Sequence, residues 1–181
     1  MIDKIIRVII YAAVAMFIIL VHEIGHYLFG CVLGIPNKRM TIQMRKMPPH
    51  VALISDHGEK VSSAHLVEYV DLLERFLSSD NKIFLFVIGG HAIELFTLLT
   101  IALIAFLTKG RLILYLAHTA TWIAPLLAVN YLLTDMIVTI RSKRPSGGDF
   151  SGSWEISRLK SILFYLCYFA GLAIAFLLAR G

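Results

Sequence analysis

The strongest constraint on the fold is a set of four long apolar segments that contain no Lys or Arg. A helix satisfies its own backbone hydrogen bonds and crosses the hydrocarbon layer of a membrane with about 20 mostly apolar residues. The segments cover approximately residues 8–35, 83–108, 112–140 and 161–179. The sequence therefore predicts an all-α membrane protein with about four transmembrane helices, as a single domain over residues 1–181.

The composition supports this prediction and excludes other classes of protein. Hydrophobic residues make up 58% of the chain, charged residues 16%, and the mean hydropathy is +0.77, values that exclude disorder and an ordinary soluble domain. The first segment follows Lys4 and Arg7, but its apolar run is longer than the core of a signal peptide, so we expect it to be retained. Cys31 and Cys167 lie in apolar segments without a metal or disulfide spacing and are not candidates for a site.

The distribution of positive charge predicts the orientation in the membrane. The chain has 17 Lys and Arg and a net charge of +5. Twelve of these residues fall in the loops of residues 36–82 and 141–160, and five on the opposite side. By the positive-inside rule these two loops are cytoplasmic. The positive charge is thus a signal of topology, and no nucleic-acid partner is expected.

The loop of residues 36–82 contains two patterns of its own. Apolar and polar residues alternate over Met40–Arg45 and an apolar run resumes at Val51–Ile54, with Pro48 and Pro49 between them, which predicts a short β-hairpin. Apolar residues then recur at three- and four-residue steps over residues 66–77, which predicts an amphipathic helix lying on the membrane or on the helix bundle.

Ionisable residues within the apolar segments are the main candidates for a site, because they are costly in a membrane. His22-Glu23-Ile24-Gly25-His26 is an HExxH motif inside the first predicted helix. Its histidines are one turn apart and about 40° apart around the helix, so both imidazoles can bind one metal ion, with Glu23 beside it as a general base. Two imidazoles and a carboxylate suit Zn²⁺ and leave one position for water. A hydrogen-bonded polar cluster that holds helices together is the non-catalytic alternative.

Around this motif the chain resembles the site-2 protease family of intramembrane zinc metalloproteases, in a short form without a PDZ domain. Residues 40–54 resemble the membrane-associated hairpin that follows the family's motif. Gly89-Gly90-His91-Ala92-Ile93-Glu94 stands at the position of the family's Gly-Pro-x-x-Asn pattern, with His91 in place of the proline and Glu94 in place of the asparagine. Asn130 and Gly147-Gly148-Asp149 are similar to the later Asn-x-x-Pro and Leu-Asp-Gly elements.

The resemblance implies that one aspartate completes the metal site with His22 and His26. Asp149 follows glycines and is expected to open the last helix, as the family's ligand does, and is the favoured candidate. Asp135, five residues before the end of the third segment, is the alternative ligand; otherwise it would orient a ligating imidazole or pair with Asn130. The roles of His91 and Glu94 stay open between lining a water path, positioning the substrate and joining two helices.

The expected function is that of an intramembrane zinc metalloendopeptidase, a hydrolase that cuts a peptide bond in or near the transmembrane segment of a membrane-protein substrate in regulated intramembrane proteolysis. Its cofactor would be Zn²⁺, its surroundings membrane lipid, and its active site would lie toward the cytoplasmic side. The alternative is a non-enzymatic metal-binding membrane protein: a zinc transporter, a sensor or a scaffold that binds transmembrane helices. No sequence feature predicts an oligomeric state.

Overall fold

The computed structural model describes residues 2–46 and 49–180, and most of them are helical. Its α-helices are α1 (Ile2–Leu33), α2 (Leu66–Phe76), α3 (Asp80–Thr108), α4 (Arg111–Ser142), α5 (Asp149–Ile156) and α6 (Arg158–Ala179). Helices α1, α3, α4 and α6 are each long and apolar enough to cross a membrane. The prediction of a mostly helical protein with four helices able to cross a membrane is confirmed. Each long helix starts at least one residue before the predicted segment.

Helix α3 is the centre of the bundle and packs against α1, α4 and α6. Small residues permit this, because a methyl group added at Gly25 would lie 2.5 Å from the carbonyl oxygen of Gly89 and 2.8 Å from the Cα of Gly90. The backbones of α1 and α3 therefore touch at the level of the HExxH motif. Further along the bundle, α3, α4 and α6 meet through alanines, listed as Ala102, Ala105, Ala117, Ala175 and Ala179.

The outer surface of the bundle is apolar, as expected for helices in lipid. Leu107, Leu126 and Leu166 are among many large apolar side chains that are exposed on α3, α4 and α6. In water such a continuous apolar surface would be unfavourable, whereas in a bilayer it faces hydrocarbon.

A small sheet and helix α2 lie together at one end of α1. Strands β1 (Met40–Ile42), β2 (Val51–Ile54) and β3 (Lys60–Val61) are antiparallel in the order β1-β2-β3, with Met40 opposite Leu53. The predicted hairpin is confirmed and the third strand is an addition to it, while Pro48 lies outside the described residues. The predicted amphipathic helix is α2, whose Leu72 and Leu73 pack against the sheet, the end of α1 and Phe86 of α3.

Helix α5 is a short separate helix that was not predicted from the sequence. Asp149 was expected to open the last helix, but it opens the short α5, and α6 begins anew at Arg158. Ser157 between them has an extended backbone (φ −162°, ψ 105°) and accepts a hydrogen bond from the amide of Lys160 as the N-cap of α6. This break separates α5, which begins at Asp149, from α6.

Candidate metal centre

The two histidines of the HExxH motif lie one turn apart on α1 and both face α3. Their Nε2 atoms are 3.1 Å apart. His26 is buried and His22 is partly buried. The structure thus brings the two imidazoles together as the helical spacing predicts.

Asp149 reaches both imidazoles from the first turn of α5, more than 120 residues later in the chain. Its Oδ2 lies 2.9 Å from Nε2 of His22 and 3.2 Å from Nε2 of His26. Burial tends to raise the pKa of this carboxyl, but His26 and His22 oppose that effect, and the pKa lies well below its ordinary value. Asp149 is accordingly a carboxylate at this site, able to offer an electron pair.

The Nδ1 atoms of both imidazoles make hydrogen bonds that orient the rings. These bonds also determine whether the Nε2 atoms carry a lone pair. Nδ1 of His22 donates to Oε2 of Glu94 at 3.1 Å, and Nδ1 of His26 donates to the carbonyl oxygen of Phe86 at 2.9 Å. A neutral imidazole with its proton on Nδ1 has a lone pair on Nε2; this tautomer is assigned from the hydrogen-bond partners.

Three electron-pair donors therefore converge on one point: Nε2 of His22, Nε2 of His26 and Oδ2 of Asp149. Their separations of 2.9, 3.1 and 3.2 Å are close to the ~3.4 Å between ligands that bind Zn²⁺ tetrahedrally at about 2.0–2.1 Å. Nitrogen and oxygen atoms at such distances lie in contact when a proton or a metal ion is shared between them. The donor set and its outer hydrogen bonds fit a divalent metal ion.

Gly90 on α3 makes room for this arrangement. A Cβ added at Gly90 would lie 2.5 Å from Nε2 of His26 and 2.6 Å from Nε2 of His22. Any larger residue would therefore occupy the space where the donors meet. The Gly89-Gly90 pair thus allows the close approach of α1 to α3 and leaves the centre free.

Asp135, the alternative ligand, lies against the loop before α5. Its Oδ2 accepts a hydrogen bond from the amide of Ser151 at 2.7 Å, and its Oδ1 accepts one from the hydroxyl of Ser146. The carboxyl is buried, and a Cβ added at Gly148 would lie 2.7 Å from it. Asp135 thus holds the first turn of α5, and through that turn it positions Asp149.

Glu23, His22 and His26 line one cavity of about 640 Å³. The cavity extends from the donors to the β2 strand and to α2, and Tyr69, Tyr131 and Asp149 also line it. Burial, with Asp149 and Glu23 nearby, raises the pKa of Tyr69, whose hydroxyl donates to the carbonyl oxygen of Val51 at 3.1 Å. Glu23 and the two histidines therefore share one cavity with the sheet and α2.

Two residues whose roles stayed open in the sequence lie directly at the centre. Oε2 of Glu94 accepts a hydrogen bond from His22 Nδ1, and its Oε1 accepts one from the hydroxyl of Tyr168 of α6 at 2.8 Å. His91 Nε2 lies 3.8 Å from Oδ2 of Asp149. Asn130, in contrast, is exposed and not part of the centre.

Other members of the centre carried no signal in the sequence. Phe86 contacts His26 through its backbone carbonyl, a group that every residue has. Tyr168, which donates to Glu94, is one of many aromatic residues in an apolar segment and cannot be distinguished from them in the sequence. The single usable signal was the spacing of His91 and Glu94, two ionisable residues one turn apart within an apolar helix.

Fold and site together show a helical protein with four helices long and apolar enough to cross a membrane and a His and Asp group that could hold a metal ion. Comparisons of the chain with protein-family models, with curated proteins and with solved structures found no match. The chemistry of the site is therefore the basis for a functional assignment.

Proposed function

We propose that the protein is an intramembrane zinc metalloendopeptidase of the site-2 protease type. It would hydrolyse a peptide bond in or near the transmembrane segment of a membrane-protein substrate. The convergence of His22 Nε2, His26 Nε2 and Asp149 Oδ2 on one point carries the proposal, because this donor set suits Zn²⁺ and leaves a position for water.

The residues of the site have separate roles in the proposed reaction. His22, His26 and Asp149 hold the ion, and Glu94 and the Phe86 carbonyl keep the two rings oriented. Zinc, when bound there, supplies a Lewis acid that polarises the scissile carbonyl and lowers the pKa of water to about 7. The Glu23 carboxylate takes the proton of the attacking water and delivers it to the leaving nitrogen.

The sheet supports the same proposal because it offers an edge to which an extended substrate segment could bind. A helical peptide bond is shielded by its own hydrogen bonds, so the substrate must unwind before it is cut. Strand β1 is at the edge of the sheet, and β2 lines the cavity that leads to Glu23. An unwound segment could pair with β1 by β-augmentation and remain extended on its way to the site.

The excess of Lys and Arg in residues 36–82 and 141–160 supports a cytoplasmic position for the sheet and the mouth of the cavity. In that orientation the substrate would be cut near the cytoplasmic surface of the membrane. The centre itself would lie within reach of cytoplasmic water through the cavity.

The test separates metal binding from cleavage in the protein purified in detergent. Zinc content is measured for the parent and for Glu23→Gln, His26→Ala and Asp149→Asn. Cleavage is measured as new N-termini in a detergent extract of membrane proteins, by terminal labelling and mass spectrometry. We expect Glu23→Gln to keep zinc and to lose cleavage, and the other two variants to lose both.

Glu74→Gln is the matched control, because Glu74 is an exposed carboxylate that lines the same cavity on α2. It should leave zinc content and cleavage unchanged. Cleavage that persists in Glu23→Gln would contradict the proposed base. Stoichiometric zinc without cleavage in the parent protein would favour a metal-binding protein that is not an enzyme.

A further inference from the structure

His91 is a buried imidazole whose ring nitrogens have no hydrogen-bond partner among the described residues. It is 2% exposed. Burying both nitrogens without partners is unfavourable, and almost all buried polar groups in proteins are satisfied. The proposed mechanism does not use this side chain. Its surroundings therefore point to a partner that is not part of the polypeptide.

The ring of His91 lies beside the three converging donors. Its Nε2 is 3.8 Å from Oδ2 of Asp149, and its centroid is 4.5 Å from that of His22. His22, His91 and Asp149 each offer one donor atom within 4.8 Å of the others. A shift of a few tenths of an ångström would bring His91 Nε2 to the ~3.4 Å from Asp149 Oδ2 that separates two ligands of one tetrahedral ion, and its approach to the other donors would have to tighten when the ion binds.

The Nδ1 atoms of His91 and His22 both lie near the Glu94 carboxylate, although only His22 makes a hydrogen bond with it. Its Oε2 lies 3.1 Å from Nδ1 of His22 and 3.6 Å from Nδ1 of His91, the second distance being too long for a hydrogen bond. Both rings thus present Nδ1 toward one carboxylate. Nε2 of each ring faces Asp149.

We propose that His91 is a fourth protein ligand of the metal, so that the resting site is closed by His22, His26, His91 and Asp149. This inference rests on the metal site of the proposed function. A site with four protein ligands has no position for water, as in structural zinc sites, and is inactive in hydrolysis. His91 must therefore leave the ion before cleavage.

The aromatic residues around His91 suggest what must move. Its ring packs against Tyr168 of α6 at 4.8 Å and against Phe150 of α5 at 5.2 Å. Phe150 directly follows Asp149, so α5 packs against the His91 ring while its first residue stays at the centre. A rotation of the His91 ring against these aromatic neighbours, with Asp149 in place, would free the position for water.

The experiment counts imidazoles and tests access in the full chain purified in detergent. X-ray absorption at the zinc edge counts the imidazole ligands, and the visible spectrum of the cobalt-substituted protein reports azide binding to an open position. We expect three imidazoles and no azide effect in the parent. His91→Phe should have two imidazoles and a spectrum that changes with azide, and His91→Gln repeats the test if the phenylalanine variant does not fold.

His118→Phe is the matched control, because His118 also has an unpartnered Nδ1 but contacts Trp122 and Phe176. It should keep three imidazoles and resist azide. Two imidazoles with azide access in the parent would overturn the role of His91 and leave the proposed function standing. A parent protein without stoichiometric metal would overturn both.

Discussion

Nδ1 of His22 on α1 donates a hydrogen bond to Oε2 of Glu94 on α3, with 3.1 Å between the two atoms. The other oxygen of the same carboxylate accepts a hydrogen bond from the Tyr168 hydroxyl of α6 at 2.8 Å. One buried carboxylate therefore joins three long helices and fixes which nitrogen of His22 faces the centre. Such outer partners are commonly worth a factor of about 10–100 in metal affinity.

Glu94→Ala should weaken zinc binding about 10–100-fold, because the His22 ring loses the acceptor that orients it. The affinity is measured by competition with a chromophoric chelator in detergent. Tyr168→Phe is the control, since it removes a hydrogen bond to Glu94 and leaves the His22 contact in place. An unchanged affinity in Glu94→Ala would show that His22 is oriented by other means.

Gly90→Ala should abolish stoichiometric metal binding, because the new Cβ would lie 2.5 and 2.6 Å from the two Nε2 atoms. Overpacking of this kind also lowers the free energy of unfolding by about 1–3 kcal/mol. Zinc content and thermal unfolding are the measurements. The control is Gly152→Ala, whose Cβ would make an ordinary contact of 3.6 Å with Val87. Full zinc content in Gly90→Ala is the result that this geometry does not allow.

Asp135→Asn should lower the stability of the protein, whereas Asp149→Asn should abolish zinc binding. The first weakens the hydrogen bonds to Ser146 and Ser151, so we expect the free energy of unfolding to fall by about 0.5–2 kcal/mol, as for a lost helix cap, with much of the zinc retained. The second removes a donor at the centre and should lose zinc. Measuring both the zinc content and the free energy of unfolding of each variant distinguishes the two effects. Loss of zinc in Asp135→Asn alone would reverse the assignment.

Tyr69→Phe should lower the free energy of unfolding by about 0.5–1.5 kcal/mol, because the hydroxyl donates to the Val51 carbonyl between α2 and the sheet. Burial raises the pKa of Tyr69. A raised pKa means that the neutral donor contributes in full below the unfolded value of about 10 and less as the pH rises beyond it. The difference between parent and variant, measured by denaturant unfolding in detergent, should thus be the same at about pH 6 and about pH 8. A difference that changes between these values would contradict a neutral Tyr69.

The features that depend on residues close together in the chain could be predicted from the sequence. The length and apolarity of the long segments predict α1, α3, α4 and α6, since a helix in lipid depends on its own residues. The alternation around Met40–Ile54 predicts the hairpin. The four-residue spacing of His22 and His26 places both rings on one face of α1, because helix geometry alone sets that angle.

Tertiary structure decided which distant groups meet those rings. Asp149 and Asp135 were both acceptable in the sequence, and the structure shows Asp149 at the imidazoles while Asp135 accepts hydrogen bonds from the turn that opens α5. The acceptor of His26 is a backbone carbonyl of Phe86, which no side-chain pattern can reveal. Contacts between residues far apart in the chain depend on how whole helices pack, and that packing is set by many residues at once.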